Sequence, residues 1–116
     1  MAHNGHIAVY AAGAKDPFVV IYLHDNAHTD TLLPILKTFL DSFGQQRGSL
    51  EDVESLAAWL IHDLIDRTSP RKFSDVAICR FAHPAVDFHY AIKLDERGGC
   101  SLEYRESRSL EIKPSL

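Results

Sequence analysis

A chain of 116 residues with 46% hydrophobic and 24% charged side chains has the size and composition of one compact globular domain. Its formal net charge of −4 argues against a protein that tracks nucleic-acid phosphates, which requires clustered Lys and Arg. No apolar run approaches the roughly 20 residues that span a bilayer, and the N-terminus lacks a secretory signal pattern. Cys79 and Cys100 lack metal-type spacing. We therefore expect a cytoplasmic protein that contacts neither membrane nor nucleic acid.

The chain begins with two predicted strands. Residues 6–12 form the first, residues 13–17 form a turn rich in Gly and Pro, and residues 18–24 form the second. The link is short, so we expect a hairpin. The second strand is apolar on both faces, which predicts a central position in the sheet.

Two helices follow. In the first, apolar residues recur at helical spacing from Leu32 to Phe43, Gly44 supplies the stop, and Asp30 or Thr31 is the expected N-cap. In the second, Ser49 is the expected cap and residues 67–70 end the helix. Its predicted buried stripe consists of Val53, Leu56, Ala57, Leu60, Ile61 and Leu64.

Three strands complete the pattern, at residues 75–82, 88–95 and 100–106, with a hairpin turn at 96–99. Residues 109–112 could add a strand or lie against a partner. The prediction is a single α+β domain over residues 1–116, in which residues 108–116 could be a flexible or partner-bound tail. The order β-β-α-α-β-β-β indicates a mainly antiparallel five-stranded sheet with both helices on one face. Tyr10, Tyr22 and Phe81 are candidates for the opposite face, where a dimer through the sheet would cover them.

The densest group of polar side chains lies where the second strand gives way to the first helix. His24, Asp25 and His28 are candidate acid–base groups there, and His24, His28 and Asp30 are an alternative set of metal ligands. The same residue types also cap helices, which is the stronger reading of this turn.

Two further groups could bind a ligand. Trp59, His62, Asp63 and Asp66 share one face of the second helix, away from its buried stripe. The basic residues that follow this helix, Arg67, Arg71 and Lys72, suggest a small anion site.

The segments IYLHDNAHTDTLLPILKTFL and ESLAAWLIHDLI resemble a group of small uncharacterised proteins of phages and mobile genetic elements. In that group a strand ending in Tyr-x-His leads through a Gly-Tyr-Pro-like turn to a Leu-Pro-x-Leu helix, and a helix with a Leu-Ala-Ala core follows. The matching positions are Tyr22, His24, Leu33, Pro34, Leu36, Leu56, Ala57 and Ala58. This chain differs at the turn, where residues 27–29 read Ala-His-Thr. The resemblance implies the same element order and a mobile-element origin, and it implies no activity.

The leading hypothesis is therefore a non-enzymatic accessory protein without a cofactor, which associates with itself and could bind another protein. Candidate binding residues are Tyr22, His24, Trp59, His62, Arg71 and Lys72. Two alternatives remain open: a small metal-dependent or acid–base enzyme with its site at residues 24–30, and a protein that binds a small anionic ligand.

Overall fold

The computed structural model describes residues 3–47, 52–67, 75–79, 85–107 and 113–114. The strands are β1 (Gly5–Tyr10), β2 (Val19–Leu23), β3 (Val76–Cys79), β4 (Phe88–Leu94), β5 (Cys100–Glu106) and the two-residue β6 (Lys113–Pro114). The helices are α1 (Thr29–Arg47) and α2 (Val53–Asp66). The predicted α+β class and order β-β-α-α-β-β-β are confirmed, and β6 follows them.

The strands form one sheet in the order β3-β2-β1-β4-β5-β6. The predicted hairpins β1–β2 and β4–β5 are present, and β2 lies inside the sheet as expected. The sheet is nevertheless mixed, because β1 and β4 run parallel while the other pairs are antiparallel. β2 occupies one side of β1, so β4 completes the sheet on the other side. Local patterns identify strands but carry no signal for this long-range pairing.

Both helices pack on one face of the sheet and form the core with it. Four of the six residues in the predicted stripe of α2 are buried, namely Leu56, Ala57, Leu60 and Leu64, while Val53 and Ile61 are partly buried against the core. Most of the rest of the core consists of strand side chains that face the helices and of α1 side chains that face the sheet. These are Ile7, Val9, Ile21, Leu23, Leu32, Leu36, Leu40, Phe43, Phe88, Tyr90, Ile92, Leu94 and Leu102. Neither helix is long and apolar enough, within the described residues, to cross a membrane.

The helix ends differ from the predictions. α1 begins at Thr29, so Asp30 and Thr31 lie inside it, and it continues through Gly44 to Arg47. Phe43 is buried, and the Arg47 guanidinium lies over its ring, 5.6 Å from the centroid. These contacts favour the extension of the helix more than Gly44 disfavours it. Asp52 caps α2 by accepting the Ser55 N–H at 3.0 Å. The predicted cap Ser49 lies outside the described residues.

The opposite side of the sheet, here called the far face, carries the side chains that alternate with the core. Register places Tyr22, His6, His89 and Arg105 in one row across it, and Val20, Ala8, Ala91 and Glu103 in the next. Tyr10 and Lys93 begin a third row. Tyr10 and Tyr22 are on this face as expected, and Phe81 lies outside the described residues. The far face is therefore a mixture of small, aromatic and charged side chains.

Candidate functional site

The turn between β2 and α1 is held by local hydrogen bonds. The His28 carbonyl accepts the Thr31 and Leu32 N–H groups at 3.0 and 2.8 Å, which makes His28 the N-cap of α1. The Asp30 N–H donates to His28 Nδ1 at 3.1 Å, so this nitrogen carries the lone pair. The imidazole therefore takes the part that Ser or Asp usually plays at a helix start.

Asp25 is also engaged by backbone groups. Its Oδ1 accepts the His3 N–H at 3.0 Å and the Asn26 N–H at 2.8 Å. These two hydrogen bonds, with smaller contributions from the charges of His3 and His24, lower the pKa of the Asp25 carboxyl. Asn26 adopts φ +64°, a left-handed conformation that Asn tolerates in turns. Asp25 therefore ties the N-terminus to the turn.

The inner side of the turn is closely packed. Ala27 is fully buried; its N–H donates to the His3 carbonyl at 2.9 Å, and its carbonyl accepts the Tyr90 hydroxyl at 2.5 Å. A Cβ on Gly5 would lie 2.7 Å from the Ala27 Cβ and 2.8 Å from the Phe88 carbonyl oxygen. The turn is therefore a structural junction of β1, β4 and α1, and its polar atoms largely serve that junction.

The remaining candidates at the turn do not converge. Within the described ranges, no three His, Cys, Asp or Glu side chains form a group that could hold a metal ion, so His24, His28 and Asp30 do not assemble the site considered above. The exposed His24 contacts Tyr22 instead, with 3.4 Å between Nδ1 and the tyrosine hydroxyl. His28 and Asp30 do lie close together, with 3.6 Å between His28 Nδ1 and Asp30 Oδ2, and the same nitrogen accepts the Asp30 N–H.

The candidate residues of α2 lie together on its outer surface. Trp59 is 56% exposed, and its ring meets the His62 ring edge-on with centroids 5.6 Å apart. Asp63 is engaged by Arg67, whose Nε lies 3.0 Å from its Oδ2. Arg71 and Lys72, which belong to the expected anion site after α2, lie outside the described residues.

Sequence reasoning missed a pair of histidines on the far face. His6 and His89 are 83 residues apart, yet His6 Nε2 lies 3.1 Å from His89 Nδ1, and the rings are edge-on. His89 Nε2 lies 3.0 Å from the Ser107 hydroxyl, which also contacts the Val86 carbonyl. A chain of four polar groups thus joins β1, β4 and the residues that flank β4 and β5.

The direction of each hydrogen bond among these four groups follows from the contact between Ser107 and Val86. A carbonyl only accepts, so the Ser107 hydroxyl donates to Val86 and accepts from His89 Nε2–H. Neutral His89 then presents a bare Nδ1, which accepts from His6 Nε2–H. Burial, and secondly the charge of Arg105, lower the pKa of His89, which favours this neutral form.

Beside the histidine pair the far face contains a groove of about 490 Å³, here called the alanine groove. Its floor is formed by Ala8 and Ala91, which are partners in the parallel register. Larger side chains border this floor: His6, His89 and Arg105 lie at one end, Tyr10 and Lys93 lie at the other, and Glu103 lies on the β5 side in the same row as the alanines.

The two basic residues of the alanine groove have different surroundings. Lys93 forms an ion pair with Glu103 at 3.2 Å, and its ammonium lies 5.7 Å from the Tyr10 ring centroid. Arg105 is half-buried, and no carboxylate among the described residues lies within ion-pair distance of its guanidinium. Among the described residues, Arg105 is therefore the basic residue of the groove that no carboxylate pairs with, and it lies at the histidine end.

A repeated short pattern is the signal that could have revealed this face. Residues 6–10 read HIAVY and residues 89–93 read HYAIK, so both strands carry His-x-Ala on the same side. Parallel pairing then places His beside His and Ala beside Ala. The pattern becomes informative once β1 and β4 are known to be neighbours.

Comparison with protein-family models, curated proteins and solved structures finds no match to this chain.

Proposed function

We propose that this protein is a non-enzymatic accessory module, of the kind that mobile elements encode, which acts as a homodimer through its sheet. The observation that carries this proposal is the outer strand β3, where Ile78 is 65% exposed. The resemblance to small uncharacterised mobile-element proteins supports the proposed origin alone. The pairing site that best fits the geometry is the edge of the sheet rather than the far face.

The composition of β3 favours pairing. Natural edge strands usually carry a charge, a proline or a bulge that discourages another strand from adding to them. Residues 76–79 read Val-Ala-Ile-Cys and contain none of the charged residues or prolines that do this. Ala77 is exposed together with Ile78, so the strand presents small and apolar side chains on both of its sides.

A second copy is the partner that fits this edge best. Antiparallel addition of β3 to β3 about a two-fold axis uses the same residues on both sides, which is the commonest symmetry of soluble oligomers. α2 packs next to β3 and exposes 40% of Ile65, so pairing would also bring apolar surface of the two α2 helices together. Each copy would bury its Ile78 side chain against the other.

The test is Ile78→Lys, studied by sedimentation equilibrium at tens of micromolar. We expect wild-type protein to be dimeric and the variant to be monomeric. The dimer Kd should rise by roughly a hundredfold, because the lost apolar burial of about 1.5 kcal/mol or more enters the two-fold interface twice.

Phe18→Lys is the matched control, because Phe18 is 52% exposed and lies outside β3. This variant should remain dimeric, and the melting temperature of each variant shows whether it has folded. Wild-type protein that stays monomeric up to about 100 μM, or a dimer that Ile78→Lys leaves unchanged, would refute the proposal.

A further inference from the structure

The alanine groove has the dimensions of a small-molecule site. Its volume of about 490 Å³ lies in the range of pockets that hold small ligands. His6 and Tyr10 are four positions apart along β1, so the two ends of the floor are about 13 Å apart at about 3.3 Å per residue. The groove is made from β1, β4 and β5, and it is thus separate from the β3 edge.

The shape of the groove is fixed by regular structure. Ala8 and Ala91 create the depression because the neighbouring positions on both strands carry much larger side chains. The hydrogen bond between His6 and His89 holds both rings at the border, and strand pairing holds the backbone beneath them. A ligand would meet walls that need little reordering, which reduces the entropic cost of binding.

The charges of the groove indicate what it would select. Glu103 is neutralised by Lys93, so a negative ligand would experience mainly the positive charge of Arg105. A guanidinium presents parallel N–H donors that match a carboxylate in a bidentate arrangement. Beyond Arg105 the floor is apolar over the two alanines and ends at the Tyr10 ring, while Glu103, paired with Lys93, lies beside Ala91 on the β5 side.

We propose that the alanine groove binds a small organic carboxylate, with its negative group at Arg105 and its apolar body over Ala8 and Ala91 toward Tyr10. The histidine pair borders the anionic end, where its two N–H donors remain engaged in the hydrogen bonds that join His6, His89 and Ser107. This site does not depend on dimerisation through β3, so either proposal can fail without the other.

The probe is 4-phenylbutyrate, titrated into the full chain and followed by amide chemical shifts and calorimetry. Two comparison compounds separate its features: 4-phenylbutanamide lacks the charge, and acetate lacks the apolar body. We expect 4-phenylbutyrate to bind with a Kd on the order of 1 mM, shifting the amides of Ala8, Ala91 and Arg105. Both comparison compounds should bind at least roughly tenfold more weakly.

Arg105→Gln should weaken the binding of 4-phenylbutyrate by roughly tenfold or more and should leave the weak binding of 4-phenylbutanamide unchanged. Arg97→Gln, in the exposed turn between β4 and β5, is the control and should bind as wild type does. Ala91→Leu keeps every charge and fills the floor, so it should abolish binding even if the Arg105 variant fails to fold.

Equal affinity for the carboxylate and its amide, or for wild type and Arg105→Gln, would overturn the proposal. So would equal affinity for acetate and 4-phenylbutyrate, undiminished binding to Ala91→Leu, or no response to about 10 mM probe.

Discussion

Two histidine-rich regions of this molecule are built in opposite ways. At the β2–α1 turn, His24 and His28 are neighbours in sequence, and His28 is occupied by the start of the helix that follows. On the far face, His6 and His89 are 83 residues apart in sequence and meet through the parallel register of β1 and β4. Crowding in sequence therefore marks a junction here, while a groove forms where distant strands repeat one pattern.

The largest expected effect tests how tightly the junction is packed. Gly5→Ala places a methyl group 2.7 Å from the Ala27 side chain and 2.8 Å from a backbone oxygen, neither of which can move freely. We expect it to lower the free energy of unfolding by about 2 kcal/mol or more, measured by urea denaturation.

The matched change on the far face is Ala91→Val, which adds two methyl groups above the floor of the groove. It should alter the free energy of unfolding by less than about 0.5 kcal/mol, because there is space and Val suits a strand. Equal losses in the two variants would show that the two regions are packed alike.

A smaller effect tests whether the turn histidine is structural. His28→Ala removes the acceptor of the Asp30 N–H and should cost about 1 kcal/mol in thermal or urea unfolding. His28→Asn should recover most of that loss, since Asn caps helices well.

His24→Ala is the comparison within the turn. The His24 side chain is exposed and makes one long contact with Tyr22, so its removal should change stability by less than about 0.5 kcal/mol. If His24→Ala destabilised the protein more than His28→Ala, the assignment of His28 as the cap would be wrong.

The smallest effect concerns pH and the far face. The pKa of His89 is lowered by burial and then by Arg105, so the unfolded chain takes up this proton at a higher pH than the folded chain does. The contribution of neutral His89 to the free energy of unfolding is therefore fully present above the pKa of the unfolded chain, about 6.5. This contribution decreases as the pH falls below that value. We expect the urea midpoint of wild-type protein to decrease between about pH 7.5 and 5.

The urea midpoint of His89→Gln should decrease less than that of wild-type protein over the same pH interval, because glutamine does not titrate. The other groups that face His89 are His6 on β1, Arg105 on β5 and Ser107, and the variant retains them. The lowered pKa values of the Asp25 and Asp52 carboxyls affect stability only below about pH 4, which is outside this pH interval. Parallel curves for the two proteins would contradict the neutral arrangement.

Local patterns predicted most of the fold. The period of two in β4 and the helical stripe of α2 both follow from burial of one side, and both are observed. Helix ends were less predictable, since the capping roles of His28 and Asp52 depend on backbone geometry that several polar residues can satisfy. The second neighbour of β1, strand β4, could not be predicted, because parallel pairing leaves no signature in either strand alone.

The same limit explains why the groove was missed. The sequence drew attention to His24, Asp25 and His28, where polar residues are adjacent, and away from His6, which lies near the terminus. Arg105 and Ala91 have no chemical interest until register places them on one surface with the histidine pair. A site assembled across strands becomes visible only when strand neighbours are known.

The parallel pairing of β1 with β4 has a consequence for synthesis of the chain. Gly5 and Phe88 are register partners, so the middle of the sheet cannot close until the chain through β4 has left the ribosome. Until then the β1–β2 hairpin and the two helices have an apolar surface that lacks β4 and β5. A nascent chain interrupted before Phe88 would consequently display an open central edge to chaperones and proteases.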